Sequence, residues 1–161
     1  MPMPTTVSGS SIRGFRPATW HTLSACALVG IMLAGASGAG RVSAQDKSTA
    51  DGVYTDAQAE RGAALATASC EVCHGQKLAG ADMGPGLLAA DFKSGWAGHP
   101  VSELFEKISS TMPANDPGSL SPAKTADLVA YILKVNDYPA GTAELPGDMA
   151  ALQQIKIAEK K

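Results

Sequence analysis

The chain has 161 residues, a formal net charge of -2, 17% charged and 5% aromatic residues, and three cysteines. Without the first 44 residues, about 117 remain, one domain of ordinary size. The slightly acidic balance excludes a polyanion such as nucleic acid as a charge-recruited partner.

Residues 1–44 read as an export signal. Arg13 and Arg16 form a positive start, Leu23 to Gly40 is uncharged, and Val42-Ser43-Ala44 offers a small-residue cleavage site before Gln45. Gly30, Gly35, Gly38 and Gly40 dilute this run; a membrane span needs roughly 20 strongly apolar residues. Leu23-Ser24-Ala25-Cys26 is a minor alternative, a lipobox that would leave a lipid anchor on Cys26. With the leader removed, 10 Lys and Arg face 15 Asp and Glu, a net charge of -5. Nucleic acid and anionic membrane are poor partners for such a chain, whereas a basic patch on another protein suits it. The expected location is the periplasm, with no membrane span in the mature protein.

Gln45 to Gly52 is polar and expected to fray, so 45–53 is a flexible segment and 54–161 the folded domain with a wrapping tail. Thr55 followed by Gln58 has the form of a capping box, and the Ala-rich stretch from Asp56 to Ser69 predicts a helix. Ala59, Gly62, Ala63 and Ala66 share one face of it, all small, so another helix can cross closely.

Cys70-Glu71-Val72-Cys73-His74 follows, the C-x-x-C-H arrangement of c-type haem attachment. Two thiols at this spacing reach one porphyrin edge while the adjacent His74 falls under the iron. A zinc site would need a second ligand pair, and a mature chain with no other cysteine and only His99 as a further histidine lacks one. A thioredoxin-like motif would sit near a βαβ pattern, and strand-like alternation is hard to find. One such motif predicts one haem.

Val101, Leu104, Phe105 and Ile108 trace a short amphipathic helix that leads into a Pro- and Gly-rich loop from Thr111 to Gly118. Ser121 as cap and Pro122 as first residue then open a helix in which Leu128, Tyr131, Ile132 and Val135 repeat at helical spacing. A last helix is expected from Asp148 to about Ile157, packed through Met149, Leu152 and Ile155. With six aromatics in the mature part, the core is modest. A haem would supply its missing apolar surface.

Gly62 eight residues before Cys70, then Gly84-Pro85-Gly86-Leu87, Met112-Pro113 and Leu128-Val129-Ala130-Tyr131, stand in an order that resembles the class I cytochromes c. The likeness covers most of residues 51–157. It implies an all-α fold, with three main helices around one covalent haem c and a short C-terminal helix. It further implies that Gly62 crosses Tyr131, that the Pro85 carbonyl accepts a hydrogen bond from His74, and that Trp96 bonds a haem propionate. Ala66 departs from the pattern, since an aromatic is common there. The tail, Asn136-Asp137-Tyr138-Pro139-Ala140-Gly141 then Glu144-Leu145-Pro146, resembles the end of cytochrome domains associated with quinoprotein alcohol dehydrogenases.

Met83, Met112, Met149 and His99 are the candidates for the second axial ligand. Met83 lies nine residues past His74, in a segment expected on the His74 side of the haem, and His99 reads as a polar loop residue. Met112 sits in a loop that can approach a flat macrocycle, so His74 and Met112 are the expected iron ligands. With both axial positions filled, the expectation is a monohaem electron carrier and not an enzyme. Its partners would be a donor such as a quinoprotein dehydrogenase, and a cytochrome oxidase or another cytochrome. The alternatives are a tightly bound cytochrome subunit of an oxidoreductase complex and, if Met112 leaves the iron open, a catalytic or gas-sensing haem protein.

Overall fold

The computed structural model describes residues 47–159; the expected signal segment, its cleavage site and Cys26 lie outside the described residues. Thr55 opens α1, Asp56–Ser69, by accepting the Gln58 N–H at 3.1 Å through its hydroxyl. Only half of the expected capping box forms. Gln58 turns away from the helix start and is buried against the tail, where its Nε2 donates to the Leu145 carbonyl and its Oε1 accepts the Leu145 N–H.

A single turn, α2, Glu71–His74, continues from α1. Helix α3, Ala89–Trp96, was not foreseen: Leu88 before it has no side-chain oxygen to mark a start, and Ala89 adopts a left-handed φ of 48°. Helix α4, Val101–Thr111, buries Val101, Leu104, Phe105 and Ile108 as their spacing predicts. Helix α5, Pro122–Val135, starts where Ser121 accepts the Lys124 N–H and buries Leu128 and Ile132 among others.

The core lies between α1 and α5, with α4 packed on α5. The two long helices approach through the small face of α1. A Cβ on Gly62 would strike the Asp127 carbonyl and lie 2.8 Å from the Tyr131 Cβ, so only glycine permits this crossing. Arg61, next to it, grips the Asp127 carboxylate with two hydrogen bonds and reaches Glu144 at 2.9 Å.

Two expectations at the chain ends are corrected. The closing helix, α6, is short, Met149–Gln153, because the chain straightens into β2, Ile155–Lys156. Leu152 and Ile155 are buried, but Met149 is 41% exposed and packs little. The segment expected to fray instead supplies β1, Lys47–Ser48, which pairs in parallel with β2, Lys47 opposite Ile155. Thr49 is fully buried and its hydroxyl accepts the Ala158 N–H at 2.9 Å. Tyr138 donates to the Ala158 carbonyl, and the Tyr54 hydroxyl donates to the Tyr138 carbonyl. Buried backbone groups need partners, and the two ends supply them for each other. Polarity alone suggested fraying because the partner strand stands more than 100 residues away.

The described residues are therefore mostly helical, with one two-stranded pairing, an all-α fold. Among them, no helix is long and apolar enough to cross a membrane.

Candidate functional site: a thiol, thiol, imidazole turn and its supports

The end of α1 runs directly into the site. Cys70 N–H donates to the Ala66 carbonyl, and the Cys70 carbonyl accepts from both Cys73 and His74. Residues three and four apart on such a turn share a face. Cys70, Cys73 and His74 therefore point the same way, while Val72 stands 77% exposed. The two cysteines are half-buried and no disulfide joins them. Burial, then the neighbouring Glu71 and Cys73, push the Cys70 thiol up. A redox-active pair of the thioredoxin kind works through a depressed pKa, so this environment opposes that reading. Among the described residues no group of three His, Cys, Asp or Glu side chains converges to hold a metal ion.

After His74 the chain reverses through Gly75 and returns past the imidazole. The Gly80 N–H donates to the His74 carbonyl at 2.7 Å, and Ala81 pairs with Gly84. A Cβ on Gly84 would sit 3.0 Å from both the His74 Nδ1 and the Cys73 carbonyl, tighter than ordinary contact, so glycine lets the returning chain lie against the ring. The Pro85 oxygen lies 2.8 Å from His74 Nδ1. A carbonyl only accepts, so Nδ1 is the donor, and in the neutral ring this leaves the lone pair on Nε2, the form a metal ligand requires. The loop is held from outside by Glu71, whose Oε1 accepts the Lys77 N–H at 2.9 Å. Leu78, almost fully buried, accepts the Leu87 N–H through its carbonyl.

The four candidates for the opposite axial position are placed differently. Met83 is 77% exposed in the Ala81–Gly84 turn, and Met149 is exposed at the start of α6. His99 is also exposed, with its Nδ1 2.7 Å from Glu103 and its carbonyl accepting the Ile157 N–H from the tail. Met112, at the end of α4, is half-buried against the core. Leu65, Cys70, Leu87, Trp96, Leu120 and Tyr131 are likewise partly buried and packed on the core. The chemistry of two thiols at this spacing, an imidazole with an Nε2 lone pair and partly covered apolar side chains fits a covalent haem.

Residues 57–132 match the family model described as Cytochrome C oxidase, cbb3-type, subunit III. The matched segment, 76 of the 161 residues, is similar to a cytochrome c domain. It spans the thiol and imidazole turn, the Pro85 segment, α3, α4 and Met112, and it ends within α5. No curated protein and no solved structure matches the chain. The match supports a class I-like cytochrome that binds haem c with its iron, transfers electrons and works with redox protein partners. The clasp of the two chain ends lies outside the matched segment.

Sequence reasoning missed Asn136, Gln58 and Glu71 as supports of this region. Each acts through side-chain bonds to backbone far along the fold or within an irregular loop, and no motif spacing marks such bonds.

Proposed function

We propose that the chain is an exported monohaem cytochrome in which Cys70 and Cys73 hold haem c through two thioethers and His74 and Met112 occupy the axial positions. Haem c, when bound, supplies an iron that alternates between ferric and ferrous states. The residues around it fix that chemistry. His74 is oriented and made a better donor by the Pro85 carbonyl; Met112 offers a soft thioether that favours the ferrous state. With both positions filled, no site is left for oxygen or substrate, and the protein passes single electrons between a periplasmic donor, such as a quinoprotein dehydrogenase, and a terminal acceptor. The observation that carries this reading is the single turn that points Cys70, Cys73 and His74 one way, with the Nδ1 proton of His74 committed to Pro85.

A second reading is a tightly bound subunit of an oxidoreductase complex, favoured by the matched family's description as an oxidase subunit. Size-exclusion chromatography of native extract separates the two, since a bound subunit elutes with a larger partner.

The test of the axial pair is spectroscopic. Ferric wild type should show the weak methionine-to-iron charge-transfer band, and ferrous protein should resist carbon monoxide; Met112→Ala should lose the band, bind carbon monoxide and keep its haem. A wild type that binds carbon monoxide readily would remove the closed site. Mass spectrometry of exported protein reads haem mass, the cleavage point and any lipid on Cys26 together.

A further inference from the structure

Asn136 is a buried amide, 7% exposed, at the C-terminal end of α5. Its Nδ2 donates to the Leu87 and Ile132 carbonyls, each at 2.8 Å, and its Oδ1 accepts the Ala89 N–H at 2.8 Å. Both donors and the acceptor of the side chain are thus engaged.

Two of these bonds land on the segment that follows Pro85. Helix α3 has no cap of its own, since Leu88 carries no polar side chain, and its first N–H finds an acceptor in a residue 47 positions later. The Leu87 carbonyl is held by Asn136, while its N–H is held by the Leu78 carbonyl at 2.9 Å. Leu87 is therefore fixed at both polar groups, two residues beyond the carbonyl that meets His74 Nδ1.

We propose that Asn136 is a positioning residue for His74: by pinning Leu87 and Ala89 it holds the Pro85 carbonyl on the imidazole and thereby sets how strongly His74 donates to the iron. The inference rests on the reading of His74 as the axial ligand. It adds that the strength of this ligand is governed from the end of α5, outside the haem motif and its loop.

The first variant is Asn136→Asp. It keeps an oxygen for the Ala89 N–H but places a second carboxylate oxygen where Leu87 and Ile132 need a donor. Three quantities are read on the holoprotein: exchange of the His74 Nδ1 proton by NMR, the reduction potential, and the denaturant midpoint. Loosening one hydrogen bond worth about 1 to 1.5 kcal/mol should speed Nδ1 proton exchange roughly tenfold. A less basic imidazole favours ferrous iron, so in the uncharged Asn136→Ser variant, whose hydroxyl is too short to span both partners, the potential should rise and Nδ1 exchange should speed up in the same way. The Ser variant carries the potential test, because the carboxylate charge of Asn136→Asp by itself favours ferric iron. A lowered midpoint with exchange and potential unchanged would show that Asn136 only staples α5 to α3, and would overturn the proposal. If wild-type protein shows no iron-shifted His74 ring signals, the axial reading itself fails and this inference falls with it, an outcome visible before any variant is made.

Discussion

A Cβ on Gly62 would stand 2.8 Å from the Tyr131 Cβ and run into the Asp127 carbonyl, so α1 and α5 cross at backbone contact. The residue that α1 contributes is there for what it lacks. Gly62→Ala would ordinarily favour a helix, by roughly 1 kcal/mol of propensity. Here the added methyl must push the helices apart, and overpacking of this kind costs about 1 to 3 kcal/mol or more. Chemical denaturation of holoprotein should show a clear loss. A variant as stable as wild type would mean that the crossing is looser than this contact requires.

Much of this geometry was legible because it is local. Helical spacing marked the buried faces of α4 and α5, small residues marked the crossing face of α1, and Ser121-Pro122 marked the start of α5. The thiol and imidazole turn announced itself by spacing. What stayed hidden depends on partners distant in sequence. Lys47 and Ser48 look like fraying polar residues until Ile155 and Lys156 lie beside them. Gln58 looks like the second half of a capping box until Leu145 offers two backbone groups. Helix α3 is capped from α5 by Asn136, so no residue near its start could reveal it. Loop context already singled out Met112 among the four candidates for the second axial position, and in the structure Met112 is half-buried whereas Met83, Met149 and His99 are exposed.

Gln58 predicts how the tail is retained. Gln58→Met keeps much of the volume and removes both hydrogen bonds, leaving the Leu145 N–H and carbonyl without their partner. Leaving buried backbone groups unsatisfied costs about 1 to 3 kcal/mol. The expected outcome is a lower denaturant midpoint together with faster proteolytic cleavage between Gly141 and Gly147. Unchanged proteolysis would show that Arg61 and its bond to Glu144 suffice to hold the segment.

The clasp of the two ends gives a pH dependence with a definite sign. Burial, aided by Asp56 and Asp137, raises the Tyr54 hydroxyl from about 10 to about 12. A folded-state value above the unfolded one means that the folded protein holds this proton more tightly. The corresponding stability is complete below pH 10 and is lost as the pH climbs from 10 through about 12. Tyr138 shifts in the same direction, again chiefly by burial. Wild type should therefore lose stability steeply in that alkaline window. Tyr54→Phe should be less stable at neutral pH, by about 1 kcal/mol for the lost bond to Tyr138, and should show a shallower alkaline decline. Parallel curves for the two proteins would show that Tyr54 is not the group responsible.

The loop after His74 stores strain that one carboxylate offsets. Lys77 and Leu78 both adopt left-handed backbone, with φ of 54° and 63°, a conformation that costs a residue with a side chain roughly 1 to 2 kcal/mol. Leu78 is repaid by burial, whereas Lys77 is exposed and its N–H is held by Glu71. Lys77→Gly should therefore stabilise the holoprotein, by about 0.5 to 1 kcal/mol, because glycine adopts this φ without a side-chain clash. Glu71→Ala should destabilise it by about 1 kcal/mol through the lost acceptor. Glu71→Gln should fall close to wild type, since an amide oxygen accepts the same N–H. Equilibrium denaturation of the three variants gives the order Gly above wild type, Gln near it and Ala below. If the Gln variant were as unstable as the Ala variant, the charge of Glu71 and not its hydrogen bond to Lys77 would be what secures the loop.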